Sequence, residues 1–446
     1  MASSLFSLPD SVWRIYRAFN PPTLPKNANP LRIGILGAAD IAPMALVNPA
    51  RTHADVVVHG IAARDRVFDT YDALINDPEI EGVYNPLPNG LHALWTRKCI
   101  EAGKHDLLEK PSASNAQEAS EPFALAAKKN VVVLEAFHYR FHPALHEFPY
   151  QLYEVMPTRS LGASGSLWKE TDIRFNYPLA GGVFMDLGCY AVSSAIYACR
   201  AAGGTDKRAQ WPKDIQVSSA DAELFIPTHK NLISSKSHCD SNGKPAIDRI
   251  LEAQFEVPSA RLHAIKCSVR PGLSDRVPTW IPFLGGKRRK IIPSFSLKET
   301  FQDGTSVELY NYIFPTVYHH ITTTLRGLRA EMAGVKEGTK RYSQAYVPTP
   351  KHTSAGGPGA GNAKGGEEQM RRAAKDGFWS AGKGKPYRLT YRWMLEAFVE
   401  SVRKSQAGTP AKGTRGTVWV SNDESVAFMR TLDLAYEKAG LPRSGT

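Results

Sequence analysis

The chain is 446 residues long, 42% hydrophobic and 22% charged, with a formal net charge of +12. That length leaves room for two domains with sizeable cores. No apolar run is read as long enough to span a bilayer, and the first twenty residues carry neither a continuous apolar core nor a small-residue cleavage site, so no membrane span and no secretory signal are expected. Five cysteines (Cys99, Cys189, Cys199, Cys239 and Cys267) make an odd count without a C-x-x-C pair, which points to a reducing, cytoplasmic setting and no structural metal.

The first element is a short amphipathic helix over 7–19, with Val12, Ile15, Tyr16 and Phe19 on one face. Pro21, Pro22, Pro25 and Pro30 then force an extended arm, so residues 1–30 are expected to lie on the surface. Leu31–Leu36 reads as a buried strand. Gly37-Ala-Ala-Asp-Ile-Ala42 follows, with the spacing G-x-G-x-x-A and Ala39 at the second glycine. Such a turn brings the backbone close to a pyrophosphate and aims a helix N-terminus at it. Gly37, Ala39, Asp40 and Ile41 are therefore candidate cofactor ligands.

Val56–Ala63 is the second strand and ends in Arg64-Asp65-Arg66. An acidic residue here would take a ribose 2′-hydroxyl, whereas Arg64 standing first favours a 2′-phosphate and hence NADP. Val67 and Phe68 follow at once, and a short helix begins near Tyr71. A parallel crossover needs a dozen residues or more, so the third strand of a six-stranded sheet is expected to be lost or displaced. Gly82–Asn85 is a strand, His92–Ala102 a helix closed by Gly103, and 105–108 a strand running into Glu109-Lys110-Pro111. Asn115 with Glu118 makes a capping box for a helix to Lys129, and 131–135 is the last strand. Strand–helix alternation implies a parallel sheet. Ligands bind outside the carboxyl ends of such strands, which puts Lys110 at the mouth of the crevice. The bland alternative is a solvated lysine after a strand.

Ala136-Phe-His-Tyr-Arg-Phe-His-Pro143 leads into a helix expected to reach about 156. A further helix begins near Gly181, with Asp186 and Tyr190 four apart on one face. Residues 214–320 alternate apolar and polar positions and read as an antiparallel sheet with one wet face. Residues 331–386 are dominated by Gly, Ala, Lys, Pro and Ser and are expected to be disordered. They hold ten Lys/Arg and five Asp/Glu, so nearly half the net charge sits there, without the regular aromatic interleaving that stacks bases. A nucleic-acid partner is not expected. Helices return at 387–404 and 422–439.

With Gly37, Glu109-Lys110-Pro111 and Asp186…Tyr190 in place, the chain resembles the glucose–fructose oxidoreductase/inositol dehydrogenase (Gfo/Idh/MocA) family over 31–330 and 387–443. The runs at 34–42, 85–92 and 140–143 look like the NADP-dependent D-xylose dehydrogenases, close to the dimeric dihydrodiol dehydrogenases. The resemblance implies an α/β fold: an N-terminal Rossmann domain at 31–139, its edge crossover helix missing, and a C-terminal α/β domain at 140–330 and 387–446 with a large open, mainly antiparallel sheet. It implies Lys110 as the catalytic lysine, Tyr190 as acid/base with Asp186 beside it, and Asn89, His92 and Glu109 at the nicotinamide end. Lys110 is then expected to stabilise the Tyr190 phenolate and to orient the sugar hydroxyl. The implied activity is NADP-dependent oxidation of an aldopyranose, D-xylose, at C1 by a homodimer joined through the C-terminal sheet. The alternatives are a trans-dihydrodiol dehydrogenase and a sugar- or cofactor-sensing protein without turnover.

Overall fold

The computed structural model describes residues 16–17, 19–63, 68–142, 144–145, 163–164, 172–202, 215–225, 238–239, 245–258, 265–271, 294–300, 304–313, 315, 319–332, 334–343, 388–408 and 419–443. Five parallel strands form the first sheet: β1 (Leu31–Leu36), β2 (Val56–Ala62), β3 (Gly82–Asn85), β4 (His105–Leu108) and β5 (Val133–Glu135). Their spatial order is β2-β1-β3-β4-β5. The first connection is a π-turn, Pro43–Val47, continued by α1 (Asn48–Arg51). The following helices are α2 (Tyr71–Asn76), α3 (Asn89–Glu101) and α4 (Ala116–Lys129).

Buried on both faces, these strands need near-continuous apolar runs rather than alternation. Leu31, Ile33 and Ile35 pack with Ala45 and Leu46, while Leu36 and Val83 pack with Leu74 and Ile75. The capping box forms as expected: the Asn115 side chain accepts from the Glu118 N–H at 3.0 Å, and the helix closes on left-handed Asn130.

The short connection after β2 has the expected consequence. Among the described residues, what stands in place of a third strand is one parallel bridge, Ala62 to Phe68. The Phe68 ring lies on Gly60, where any Cβ would collide with it. β2 is the edge of the sheet, and Phe68 covers part of it. The extended arm is also present. Lys26 places its ammonium on the carbonyls of Ala50 and His53, at 2.7 and 2.9 Å, a cation at the C-terminal end of α1 where the helix dipole favours one. The apolar helix face expected in the leader is not buried where it is described: Tyr16 and Phe19 are 60% and 53% exposed.

Past β5 the chain makes a 3₁₀ turn, His138–Phe141. The helix expected up to 156 falls outside the described residues except at 144–145. Two further 3₁₀ turns, Ile173–Phe175 and Tyr177–Leu179, lead to a π-turn, Phe184–Gly188, and α5 (Cys189–Ala202). Contrary to the reading of the sequence, one stretch is long and apolar enough to cross a membrane, Tyr177–Tyr197, and 94% of it is buried inside the protein. An interior helix of a sizeable core meets the same compositional test as a span.

The remaining strands are β6 (Ala163–Ser164), β7 (Gln216–Phe225), β8 (His238–Cys239), β9 (Pro245–Val257), β10 (Ile265–Val269), β11 (Ser294–Thr300), β12 (Ser306–Tyr310), β13 (His320–Thr324) and β14 (Lys340–Ser343). All their pairings are antiparallel, in the orders β10-β9-β7, with β8 on β9, and β14-β13-β12-β11-β6. Two placements differ from the sequence reading. The supposedly disordered segment 331–386 opens with ordered chain: α6 (Gly327–Met332) runs into it, and β14 pairs with β13. The rest of that segment, 344–386, lies outside the described residues. In addition, α7 (Thr390–Gln406), expected in the C-terminal domain, packs on the parallel sheet. Its Trp393, Met394 and Phe398 pack with Leu31, Ile33, Tyr84 and Leu134 of the parallel sheet. It shares that apolar face with Ala45, Leu46 and Ala50 of the earlier turn and α1. By contrast, α8 (Asn422–Lys438) packs through Phe428 and Leu432 into the other core, with Val192, Leu251 and Phe255.

An ion pair ties these parts together. Arg140, in the 3₁₀ turn after β5, reaches Glu424 of α8 at 2.6 Å with both side chains buried, and its guanidinium lies 4.9 Å over the Tyr197 ring. Removing one partner of a buried pair strands the other charge. Glu424→Ala should therefore lower stability by about 3–5 kcal/mol in urea denaturation. A loss below about 1 kcal/mol would place the pair in an effectively solvated setting.

Candidate active site

The carboxyl ends of β1 and β4 frame the site. At the end of β4, Lys110 leaves the strand into a space walled by the π-turn Phe184–Gly188. Its Nζ stands 3.0 Å from Asp186 Oδ1, donates to the Asp186 carbonyl at 2.9 Å, and lies 4.6 Å from the centre of the Tyr190 ring. The other Asp186 oxygen accepts from Arg174 Nε at 2.7 Å, and Arg174 in turn holds Asp172 at 2.9 Å. Charges alternate along the row Asp172, Arg174, Asp186, Lys110. The three proposed catalytic residues thus come together from elements 76 and 80 residues apart in the chain.

The turn that carries Asp186 is anchored from behind. Asp248 of β9 accepts from the Phe184 N–H at 2.8 Å and from the Tyr436 hydroxyl at 3.2 Å. Gly182, at φ +126°, leaves no room for a Cβ against the Asp248 carboxylate, so this approach requires glycine. Burial raises the Asp248 carboxyl to about 7.

Burial alone would lower the Lys110 ammonium, but the Asp186 carboxylate reverses this and its pKa is raised. For Asp186 burial works upward, and Lys110 and Arg174 outweigh it, bringing the carboxyl down to about 2. Tyr190 moves the other way. Burial, then the nearby Glu109, Cys189 and Asp186, hold its hydroxyl well above the usual value. The Lys110 ammonium, expected to stabilise the phenolate, is turned toward Asp186 rather than toward the hydroxyl. The ammonium rests over the ring face and is engaged by Asp186, while the hydroxyl meets His138 Nε2 at 3.2 Å. Neither His138 nor Arg174 stood out in the sequence. His138 sits in the quoted run 136–143, and Arg174 in a turn without periodic signal.

Gly37 makes the turn after β1 at φ +76°, and a Cβ there would press on Leu87 and the Tyr71 hydroxyl at 3.2 and 3.3 Å. The helical turn that follows begins without a side-chain cap, with Ala39, Asp40 and Ile41 in the connection and Asp40 exposed. A left-handed glycine beside an uncapped helix start is a cradle that fits a pyrophosphate. Asn89 donates to the Ala180 carbonyl at 3.0 Å, tying α3 to the turn before the Asp186 segment. His92 is buried, each ring nitrogen 2.6 Å from a carbonyl, of Pro111 and of Leu87, and burial lowers it to about 4. Glu109 is buried and accepts from the Tyr84 hydroxyl at 2.7 Å. These three shape the walls beside Lys110. Arg64 lies outside the described residues. Among the described residues no cluster of three His, Cys, Asp or Glu is arranged to hold a metal.

Residues 31–137 match the oxidoreductase family with an NAD-binding Rossmann fold. The matching family model is that of the Gfo/Idh/MocA oxidoreductases. One relative is the D-xylose 1-dehydrogenase (NADP(+)) 2 of Haloferax volcanii, 37% identical over 188 residues, which are 37% of this chain and 56% of the relative. The dTDP-3,4-didehydro-2,6-dideoxy-alpha-D-glucose 3-reductase of Actinomadura kijaniata is 32% identical over 38% of this chain and 57% of its own. The trans-1,2-dihydrobenzene-1,2-diol dehydrogenase of Xenopus tropicalis is 31% identical over 28% of this chain and 39% of its own. The chain thus spans about half the length of the curated relatives it matches. A crystal structure of a 3-ketoreductase from A. kijaniata with NADP and TDP-benzene superposes with a TM-score of 0.59 at 16% identity, over 91% of this chain and 96% of that one. This likeness shows that the same fold continues through the C-terminal sheets.

The depressed Asp186 carboxyl makes a signed prediction. Its folded pKa of about 2 lies below the ordinary 3.8. Its contribution to stability is present above about pH 4 and is lost as pH falls through 2. A difference of that size corresponds to about 2 kcal/mol. Asp186→Asn should remove this part of the acid dependence between pH 4 and 2 in denaturation curves. An unchanged acid slope would mean the carboxyl is not held by Lys110 and Arg174.

Proposed function

We propose that the protein is an NADP-dependent oxidoreductase that removes hydride from the C1–H of an aldopyranose, D-xylose being the first candidate, to leave the 1,5-lactone. The observation that carries this reading is the meeting of Lys110, Asp186 and Tyr190 at the carboxyl end of β4, at the same end of the parallel sheet as the Gly37 turn that follows β1. The identity with the H. volcanii enzyme supports the sugar, and Arg64, two residues after β2 in the sequence, supports the 2′-phosphate form of the cofactor.

Gly37, Ala39, Asp40 and Ile41 would hold the pyrophosphate, and Asn89, His92 and Glu109 would bound the nicotinamide end. Bound NADP⁺ supplies the hydride acceptor. Lys110 donates a hydrogen bond to the sugar oxygen at C1 and fixes its direction, while Asp186 holds that ammonium in place and charged. The hydroxyl proton passes to Tyr190 Oη as the C1–H electron pair leaves. Near neutral pH a tyrosine acts as a base only when its anionic form is stabilised, so the surroundings of Oη matter more than those of the ring. Similarity to the Xenopus diol dehydrogenase favours a trans-dihydrodiol as second substrate class. The complete Lys110, Asp186 and Tyr190 set argues against a binding protein without turnover.

The deciding assay is NADPH formation, followed by absorbance, over a panel of aldoses and trans-dihydrodiols. Turnover of neither class would overturn the reading. Lys110→Met and Tyr190→Phe should each reduce kcat by at least ~10²-fold, the scale of acid/base contributions, with NADP⁺ binding largely kept. Near-normal kcat in either would remove that residue from the mechanism. Arg64→Ala should weaken NADP⁺ far more than NAD⁺, through loss of a charge-assisted contact. Equal losses for both cofactors would show that Arg64 does not read the 2′-phosphate.

A further inference from the structure

The proposed base, Tyr190, has its hydroxyl hydrogen-bonded to a residue that no motif assigns. His138 Nε2 lies 3.2 Å from Tyr190 Oη, and His138 Nδ1 lies 2.7 Å from Thr390 Oγ1. The imidazole is fully buried and stacks on Tyr391, centroids 3.9 Å apart at 30°, while its edge meets the Tyr190 ring at 5.8 Å and 70°. Two packed rings and two hydrogen bonds fix the orientation of the imidazole. Thr390 and Tyr391 open α7, so the contact also depends on α7 covering the parallel sheet.

We infer that His138 is a positioning residue for Tyr190: a neutral imidazole that accepts the Thr390 hydroxyl at Nδ1 and donates Nε2–H to the Tyr190 oxygen, stabilising it as the anion that receives the substrate proton. The inference rests on the reading of Tyr190 as proton acceptor.

The geometry admits this tautomer, and the surroundings of Tyr190 favour this role. A neutral imidazole carries one donor and one acceptor, and the hydrogen bond at one nitrogen sets the state of the other. Thr390 can donate to Nδ1, which leaves the N–H on Nε2, facing Oη. Burial, with the Lys110 charge adding to it, lowers His138 to about 3, so it stays neutral throughout the working range. Other titratable groups facing Tyr190 do not supply the donor. Glu109, after β4, and Asp186 and Cys189, on its own segment, oppose a negative charge there. Tyr312, from the chain after β12, acts in the same direction. Tyr139 presents its ring edge-on and spends its hydroxyl on Ser193 at 2.8 Å. Tyr84 gives its hydroxyl to Glu109, and Tyr391 faces His138 with its ring. Lys110 contributes its field through the ring face, and two of its three N–H donors are engaged by Asp186. Among the described residues, His138 is the group hydrogen-bonded to the oxygen itself.

The test pairs a measurement independent of turnover with a kinetic one. In the ¹⁵N-labelled wild-type protein, long-range ¹H–¹⁵N correlation should show His138 as the Nε2–H tautomer, and Tyr190→Phe should shift that proton. An Nδ1–H tautomer, or no response to Tyr190→Phe, would overturn the inference, whatever the substrate proves to be. In kinetics with NADP⁺ and the best sugar of the panel, His138→Phe should move the Tyr190-controlled limb of the kcat–pH profile upward by about one unit, the scale of one charge-assisted hydrogen bond. At neutral pH kcat should fall ~10-fold with KM little changed. His138→Gln, which can still present an N–H, should recover most of the loss. A loss in His138→Phe with an unmoved pH limb, not rescued by glutamine, would show a purely structural role. Absence of turnover in the wild type would overturn the proposed function instead, and the tautomer measurement alone would then decide the state of His138.

Discussion

The arrangement depends on one buried contact, the Lys110 ammonium on the Asp186 carboxylate. A cation brought below the surface is tolerated only with a partner and further hydrogen bonds. Lys110 has both, from the Asp186 side chain and from the carbonyl of the same residue. Asp186 sits in a π-turn, and its carbonyl accepts from the Cys189 thiol as well as from Lys110. π-turns of this kind recur at functional positions. Here the turn lets the head of an interior helix meet the tip of a strand of the parallel sheet.

Holding that turn requires support from further away. Asp248 of β9 binds it from the antiparallel sheet, and Gly182 permits the approach. Asn89 ties α3 to the Ala180 carbonyl just before it, and His92 joins the loops that follow β3 and β4. Residues that look like ligands by position are thus engaged in fixing the walls. The distinction has a chemical consequence: a site built on satisfied walls keeps Lys110 and Tyr190 within a narrow range of geometry, and preorganisation is a large part of what such sites contribute.

The edge of the parallel sheet shows how a fold accommodates a lost element. The short link between β2 and α2 leaves no residues for a crossover helix, and Phe68 is laid against Gly60 and bridged to Ala62 in its place. The five remaining strands keep their parallel order, because each is paired and covered independently of that edge. The other end of the chain compensates in a different way, by returning α7 to the sheet.

Much of this was legible locally. The apolar run 31–36, the Gly37 turn, the Asn115–Glu118 cap and the strand leading to Lys110 are short-range patterns, and backbone sterics with hydrophobic periodicity decide them. The spacing of Asp186 and Tyr190 likewise marked one helical segment. Sequence could not say that α7 belongs to the first sheet, since its apolar stripe fits any uncovered face, nor that 327–343 adds a helix and a strand amid a glycine-rich stretch. It could not reveal that the Tyr190 hydroxyl faces His138 rather than Lys110. Those outcomes follow from long-range packing, which sets the distance between groups 52 and 80 residues apart in the chain. Local residue types determined which strands, turns and charged tips would form; only the tertiary structure decided which of them touch, because a buried charge or hydroxyl takes its partner from whatever the folded core brings within hydrogen-bonding reach.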